Sequence, residues 1–258
     1  MASERALNSV AKSFKALHKP GNPVILTNAW SIPSANLVAS LSQTKALASA
    51  SFAVAREAGL EDVELTFEEN IAAITEIAKI GASKNLPVTC DFQDGYGDRL
   101  EEGIRKLIEI GVVGVNLEDH MARGEAYTIE QAVSRIKRVL ETAKAQGVPD
   151  FVVNARTDVL LHGGNLEEAI ERGKAFLAAG ATTVFVWGAR RGVHDDEVVR
   201  LVEALGGMLN VSWKVGGLNV KQLKDMGVAR VSIGPKLMLF GEEAMRTEAT
   251  RLLEEINQ

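Results

Sequence analysis

The chain has 258 residues, 46% hydrophobic and 24% charged, which suits one large α/β barrel or two small domains. A formal net charge of −5 and a pI near 5.5 argue against a nucleic-acid-binding surface. The single cysteine, Cys90, excludes an internal disulfide framework, and no apolar run approaches the roughly 20 residues that span a bilayer.

The first segment can be read in two ways. Residues 1–19 are short of acids and carry Arg5, Lys12, Lys15 and Lys19, as a transit peptide would. Leu7, Val10, Phe14 and Leu17 nevertheless recur at helical spacing, as a helix packed across a barrel end requires. The second reading is preferred, and the expected location is cytoplasmic. The terminal Ile256-Asn257-Gln258 is not a peroxisomal signal.

Eight short β-like runs then follow: 24–28, 46–51, 87–91, 114–118, 151–156, 183–187, 208–212 and 230–233. Most are continuously apolar, as parallel strands covered on both faces should be. Amphipathic helical stretches separate them. Thr66 with Glu69, Asp98 with Glu101, Thr128 with Gln131 and Asn165 with Glu168 read as helix-starting boxes. Gly81, Gly111, Gly147, Gly180 and Gly227 read as left-handed helix ends. Eight β–α units without a linker predict a single (β/α)8 TIM barrel over residues 1–258. The last helix, from about 237 to 256, is long enough to dock on another subunit.

In such a barrel the chemistry sits at the C-terminal strand ends. Strand three ends in Asp91, strand four in Glu118 and strand five in Arg156, and Asp62 joins them from the loop after strand two. Oxygen ligands of this kind suit a hard divalent cation, Mg2+ or alternatively Mn2+, held by one or two carboxylates and water. The competing reading makes each acid a helix cap, and Asp98 and Asp119 are assigned here either to that role or to an outer layer behind the ligands. Arg156 has the fork that grips a carboxylate in two places, unless Asp158 or Glu118 occupies it. His120 is a candidate for proton transfer, whereas His18, His162 and His194 read as surface or packing residues. Strand alternation turns Cys90 away from the side that Asp91 faces, so it is a poor nucleophile. Gly95-Tyr96-Gly97 makes a sharp turn or a close approach to a ligand.

Taken in order, several motifs resemble the isocitrate lyase and phosphoenolpyruvate mutase superfamily. They are Asn28-Ala29-Trp30, Ser49-Ala50-Ser51, Gly59-Leu60-Glu61-Asp62, Pro87 to Asp91 with Gly95-Tyr96-Gly97-Asp98, Gly114 to Asp119, Asn154 to Asp158, and Gly227 to Pro235. The resemblance implies a (β/α)8 barrel that exchanges its C-terminal helix within a homodimer or homotetramer. It implies Mg2+ on Asp91, with Asp62 and Glu118 holding metal-bound waters or the metal itself. Substrate contacts would fall to Trp30, Ser49, Ser51, Phe52, Asp91, Arg156 and Asn210, the carboxylate lying on backbone N–H groups near Ser51 and Phe52. The implied reaction cleaves or forms a C–C bond of a small 2-hydroxy or 2-oxo carboxylate through an enolate.

Three departures stand against the family pattern. The Lys-Lys-Cys-Gly-His loop of the lyases is replaced by the short run His120 to Ala126, leaving only His120 and Arg123 as substitutes. Gln93 stands where a second acid is usual, and it retains the ability to hold a metal-bound water. Ser31 replaces an Asp. The alternatives are a phosphonopyruvate- or oxaloacetate-type hydrolase or mutase, and a silent barrel binding a metabolite or partner. A sugar-phosphate barrel, suggested by Gly216-Gly217 and Gly234, fits the Asp91 and Glu118 pair less well. No nucleic-acid or membrane partner is expected.

Overall fold

The apolar runs form nine strand segments in the computed structural model, which describes residues 2–121, 124–189 and 191–255. They are β1 (Val24–Leu26), β2 (Asn28–Ala29), β3 (Leu47–Ser49), β4 (Val88–Asp91), β5 (Gly114–Glu118), β6 (Val152–Thr157), β7 (Thr183–Val186), β8 (Leu209–Ser212) and β9 (Arg230–Ser232). Every ladder is parallel, and the order runs β1-β9-β8-β7-β6-β5-β4-β3-β2. The first and last segments in that order are adjacent in the chain, separated by Thr27 alone. The predicted first strand therefore supplies both edges. Its front half pairs with Arg230–Ser232 and its back half with Ala48 and Ser49, and this closes the eight-stranded barrel.

Helices α1 (Ala2–Lys15), α2 (Ile32–Ser40), α3 (Ser51–Glu57), α4 (Phe67–Ser83) and α5 (Leu100–Glu109) belong to the first half. The second half has α6 (Ile129–Ala145), α7 (Leu166–Ala178), α8 (Asp195–Ala204), α9 (Val220–Asp225) and α10 (Lys236–Glu254). Thr66 and Thr128 cap α4 and α6 in reciprocal boxes, and the Asn165 side chain accepts from Glu168 N at the start of α7. Asp98 does not cap α5. It lies in a 3-10 turn, Gly97–Arg99, and the helix follows that turn at Leu100. Gly81 is inside α4 rather than past its end, and its role is close packing, since a Cβ there would lie 2.3 Å from Val88 Cγ2. The left-handed residue after that helix is Asn85.

The core lies between the barrel and its helices, and Cys90 belongs to it. Burial pushes the Cys90 thiol far up, in keeping with its inert role. Of the N-terminal pattern, Phe14 is buried and Leu7 and Leu17 pack against the core, while Ala11 rather than Val10 is the other buried position. Among the described residues, no helix is long and apolar enough to cross a membrane.

His18, expected at the surface or in packing, is buried at the end of this segment, its Nδ1 3.0 Å from Phe14 O. Burial, with the nearby Arg230 charge, lowers its pKa to about 3. The folded state thus keeps the ring neutral while the unfolded chain protonates it below about pH 6.5. The stability this contributes is complete above that value and is lost as pH falls towards 3. His18→Leu is expected to flatten the acid limb of a pH series of urea unfolding by up to about 1.4 kcal/mol per pH unit. An unchanged slope between pH 6.5 and 4 would refute this.

Candidate active site

Asp91 ends β4 and faces the barrel mouth, where neighbouring chains surround its carboxylate. Asp91 Oδ2 accepts from Ser51 N at 3.0 Å and from Ser51 Oγ at 3.2 Å, and Oδ1 accepts from Asn116 Nδ2 at 3.2 Å. Parallel register explains the last contact, since Asp91 and Asn116 are direct ladder partners. Below them, Asp91 N donates to Ser49 Oγ at 2.9 Å, and Asn70 Nδ2 donates to Asp91 O at 3.0 Å. The head group keeps lone pairs for a further partner.

A second set of contacts lies around Arg156. Glu118 and Arg156 are ladder partners of β5 and β6, and Arg156 Nη1 lies 2.6 Å from Glu118 Oε1. The same guanidinium donates from Nε and Nη2 to Asp158 at 2.6 and 2.8 Å, and it lies 4.0 Å from the Trp187 ring centroid. Both occupants considered from sequence are thus present, with part of the fork still free. Asp119, read as a cap or outer-layer group, is the anchor behind this pair. Its carboxylate accepts from Asp158 N at 3.0 Å and from Arg172 Nη1 at 3.1 Å.

The electrostatics of the mouth favour a cation. Asp62 is held above the usual carboxylate range by burial and then by the Asp91 charge. Glu118 is pushed well up by burial, against the pull of Arg156. For Arg156 burial acts downward, yet the charges of Glu118 and Asp158 prevail and hold it above its ordinary value. Among the described residues Arg156 and Arg230 are coupled to the acids Asp62, Asp91, Glu118 and Asp158, so negative charge is left over. Among the described residues no three His, Cys, Asp or Glu side chains converge on one ligation point. Asp91, with Asp62 and Gln93 near it, offers oxygen donors of the kind that suit a Mg2+ ion keeping most of its waters.

The other sequence candidates fall in several places. Gln93 adopts φ +48° and donates from Nε2 to Asp62 O at 2.8 Å and to Asp62 Oδ1 at 3.2 Å. It therefore stands beside the acids it was expected to accompany. The Ser51 N–H, expected to receive a substrate carboxylate, points at Asp91. Phe52 follows it in the first turn of α3, half-buried, and Trp30 packs against Ala50, Ala53 and Met238. Asn210 Nδ2 donates to Ser232 Oγ at 3.1 Å inside the barrel. His120 is placed apart from the mouth. Its ring stacks on His162 at 3.7 Å in a cavity shared with Asp119, Glu168 and Arg172, on the α7 side of the strands. Arg123 lies outside the described residues.

Several contributing residues were not singled out from sequence. Asn116 Oδ1 accepts from Asn154 Nδ2 at 2.8 Å and from Arg230 Nη2 at 2.9 Å. This fixes the amide so that its NH2 group faces Asp91. Arg230 is fully enclosed, and burial lowers its pKa to about 9 despite the Asp91 charge. A polar residue at alternate, inward positions of an otherwise apolar strand is the available signal for Asn116, Asn154 and Arg230. Gly95-Tyr96-Gly97 is a packed turn, in which a Cβ on Gly95 would lie 2.3 Å from Leu100 Cδ1. Tyr96 OH accepts from Asn70 Nδ2 at 2.9 Å.

The sequence pattern of the phosphoenolpyruvate phosphomutase family matches residues 14–253. The chain belongs to that family. It is an enzyme of the isocitrate lyase and phosphoenolpyruvate mutase superfamily, and its barrel is the barrel of that group. It is 32% identical to an uncharacterised Mycobacterium tuberculosis protein over 86% of this chain and 81% of that one. It is 28% identical to the 2-methylisocitrate lyase of Escherichia coli over 70% of this chain and 62% of that one. A Burkholderia cenocepacia structure provisionally described as a phosphonomutase superposes with TM-score 0.84 at 32% identity, over 96% of this chain and 99% of that one.

Proposed function

We propose that the chain is a Mg2+-dependent lyase that cleaves or forms a C–C bond of a small 2-hydroxy or 2-oxo carboxylate through an enolate. The observation that carries this reading is the Asp91 carboxylate, held by Ser51 and Asn116 amid the surplus acids Asp62 and Glu118. Asp91 would hold the metal directly, with Asp62, Glu118 and Gln93 reaching it through water. When bound, the metal supplies charge stabilisation to the developing enolate. Arg156, with N–H groups to spare, would orient the substrate carboxylate or its α-oxygen, and the Trp187 and Phe185 rings close off water beside it.

The match to the phosphomutase pattern favours a second reading, in which the same site acts on a phosphonopyruvate- or oxaloacetate-type substrate. Titration with Mg2+ or Mn2+ in the presence of oxalate, which mimics the enolate of pyruvate, tests the shared part. Both readings expect a metal-dependent rise in melting temperature. A screen of 2-hydroxy acids, 2-oxo acids and phosphonopyruvate then separates them by product. No metal response would remove the basis of both, and metal binding without turnover would favour a barrel that only binds a metabolite.

The exchanged terminal helix is also proposed for this chain, as a homodimer or homotetramer. In its support, Met238 is the one buried residue among the nineteen of α10, and Phe240, Met245, Leu252 and Leu253 are exposed. Light scattering is expected to find an oligomer and to find Phe240→Glu with Leu253→Glu shifted towards monomer. A monomeric wild type would end this proposal.

A further inference from the structure

The proposed reaction needs a proton at the enolate carbon, and the acid-lined side of the mouth is poorly placed to give it. Asp91 and Arg156 lie on β4 and β6 and would hold the enolate by its oxygens, which turns the carbon towards the opposite wall. His120, the sequence candidate for proton transfer, stacks on His162 away from the mouth, and Cys90 is enclosed in the core.

On that opposite wall a cavity of about 160 Å³ opens between the ends of β7 and β8 and the start of α10. Trp187 lines it and also covers the Arg156 guanidinium, so the cavity adjoins the acid-lined site. Its titratable lining residues among those described are Lys214 and Lys236, and no acid lines it. Lys236 Nζ has only long contacts to neutral acceptors, Ser212 Oγ at 3.3 Å and Ile233 O at 3.2 Å. It is also the first side chain of α10, where the helix dipole adds positive potential. Lys214 brings a second positive charge, its Nζ donating to Arg191 O at 2.9 Å. The acid beyond that loop, Glu197, is already paired with the Arg191 guanidinium. Burial accordingly lowers the Lys236 pKa.

We infer that Lys236 is the general acid and base of this site, the group that carries the proton to and from the enolate carbon. In the cleavage direction an Nζ–H bond breaks as a C–H bond forms, and the neutral amine left behind takes its next proton from water. In the condensation direction the amine lone pair removes that proton. The inference rests on the proposed metal and carboxylate site and assigns the step that follows C–C cleavage. A lysine at its ordinary value stays protonated at neutral pH, whereas a lowered one is a stronger acid and has a neutral fraction to act as base.

Exchange of the methyl protons of pyruvate in D2O with Mg2+, followed by proton NMR, tests it, with oxalate calorimetry as the control for the site itself. Wild type should catalyse the exchange, at a rate that rises with pH as the amine loses its proton. Acetylation of Lys236 by acetic anhydride, read by mass spectrometry over the same pH series, should share that midpoint and lie below the exposed lysines. Lys236→Met should lose at least about a hundredfold in exchange and keep oxalate affinity within about twofold. Lys236→Arg keeps the charge at the start of α10 but does not titrate, so it should lose as much, and it serves if Lys236→Met does not fold. A purely electrostatic role would instead be rescued by arginine. Exchange retained in either folded variant, or absent from a wild type that binds oxalate, would overturn the inference while the oxalate site stands. So would a Lys236 that labels only with the exposed lysines. A wild type that does not bind oxalate would overturn the parent reading and this one with it.

Discussion

Asp91→Ala is expected to abolish the Mg2+-induced rise in melting temperature and to weaken oxalate binding at least about a hundredfold. A metal present at 100 times its Kd stabilises the folded state by about 2.7 kcal/mol, and the variant should lose that increment. The metal-free protein should be far less affected. Removing Asp91 frees Ser51 and Asn116 of an acceptor, but it also removes the charge that helps to hold Asp62 above its usual range. The comparison is therefore a two-by-two one, wild type and variant, with and without Mg2+. A variant that keeps the wild-type metal response would show that the cation is held elsewhere or not at all. Asp91→Asn keeps the shape and an acceptor for Ser51 but removes the negative charge, and should fall between the two.

Arg156→Met is expected to cost stability as well as function. The guanidinium neutralises Glu118 and Asp158, both nearly enclosed, and its removal leaves two acids facing each other without a partner. Breaking a buried pair of this kind costs about 3–5 kcal/mol, seen as a lower urea midpoint at unchanged slope. The penalty should shrink as pH falls, because the acids left behind can take up protons. Glu118 in particular is already pushed up by burial. Arg156→Lys restores one charge but not the fork, so it should recover part of the stability and little of the oxalate affinity. An Arg156→Met protein as stable as wild type at neutral pH would mean that solvent screens this pair far more than its burial implies.

The strand ends were readable because a parallel barrel places its chemistry at one known end of each strand. Asp91, Glu118 and Arg156 follow apolar runs that can hardly be anything but strands, and they lie in the C-terminal parts of β4, β5 and β6. The supports beneath them were harder to see. Asn70 comes from a helix 21 positions before Asp91, and Arg230 reaches Asn116 across 114 positions of chain. Nothing local in either segment announces a partner so remote. His120 shows where local order is least informative. Its place after Glu118 and Asp119 suggested the mouth, but the chain turns after Asp119, and the ring stacks on His162 beside α7.

By itself, the amino-acid order determined the barrel, the direction of its strands and the acids at their ends, because periodicity and turn chemistry are local properties. The split of the first strand at Thr27 was decided only when the last strand arrived to pair with it. Tertiary structure also decided which contacts each site group makes: Ser51 bound to Asp91, Arg156 shared between two acids, and Asn116 oriented by Arg230. The lysine cavity is of the same kind, since Lys236 meets Ser212 only where the ends of β8 and β9 lie side by side. Hydrogen bonds and charge pairs act over a few ångströms in space, and closure of the barrel is what brings residues so distant in the chain within that range.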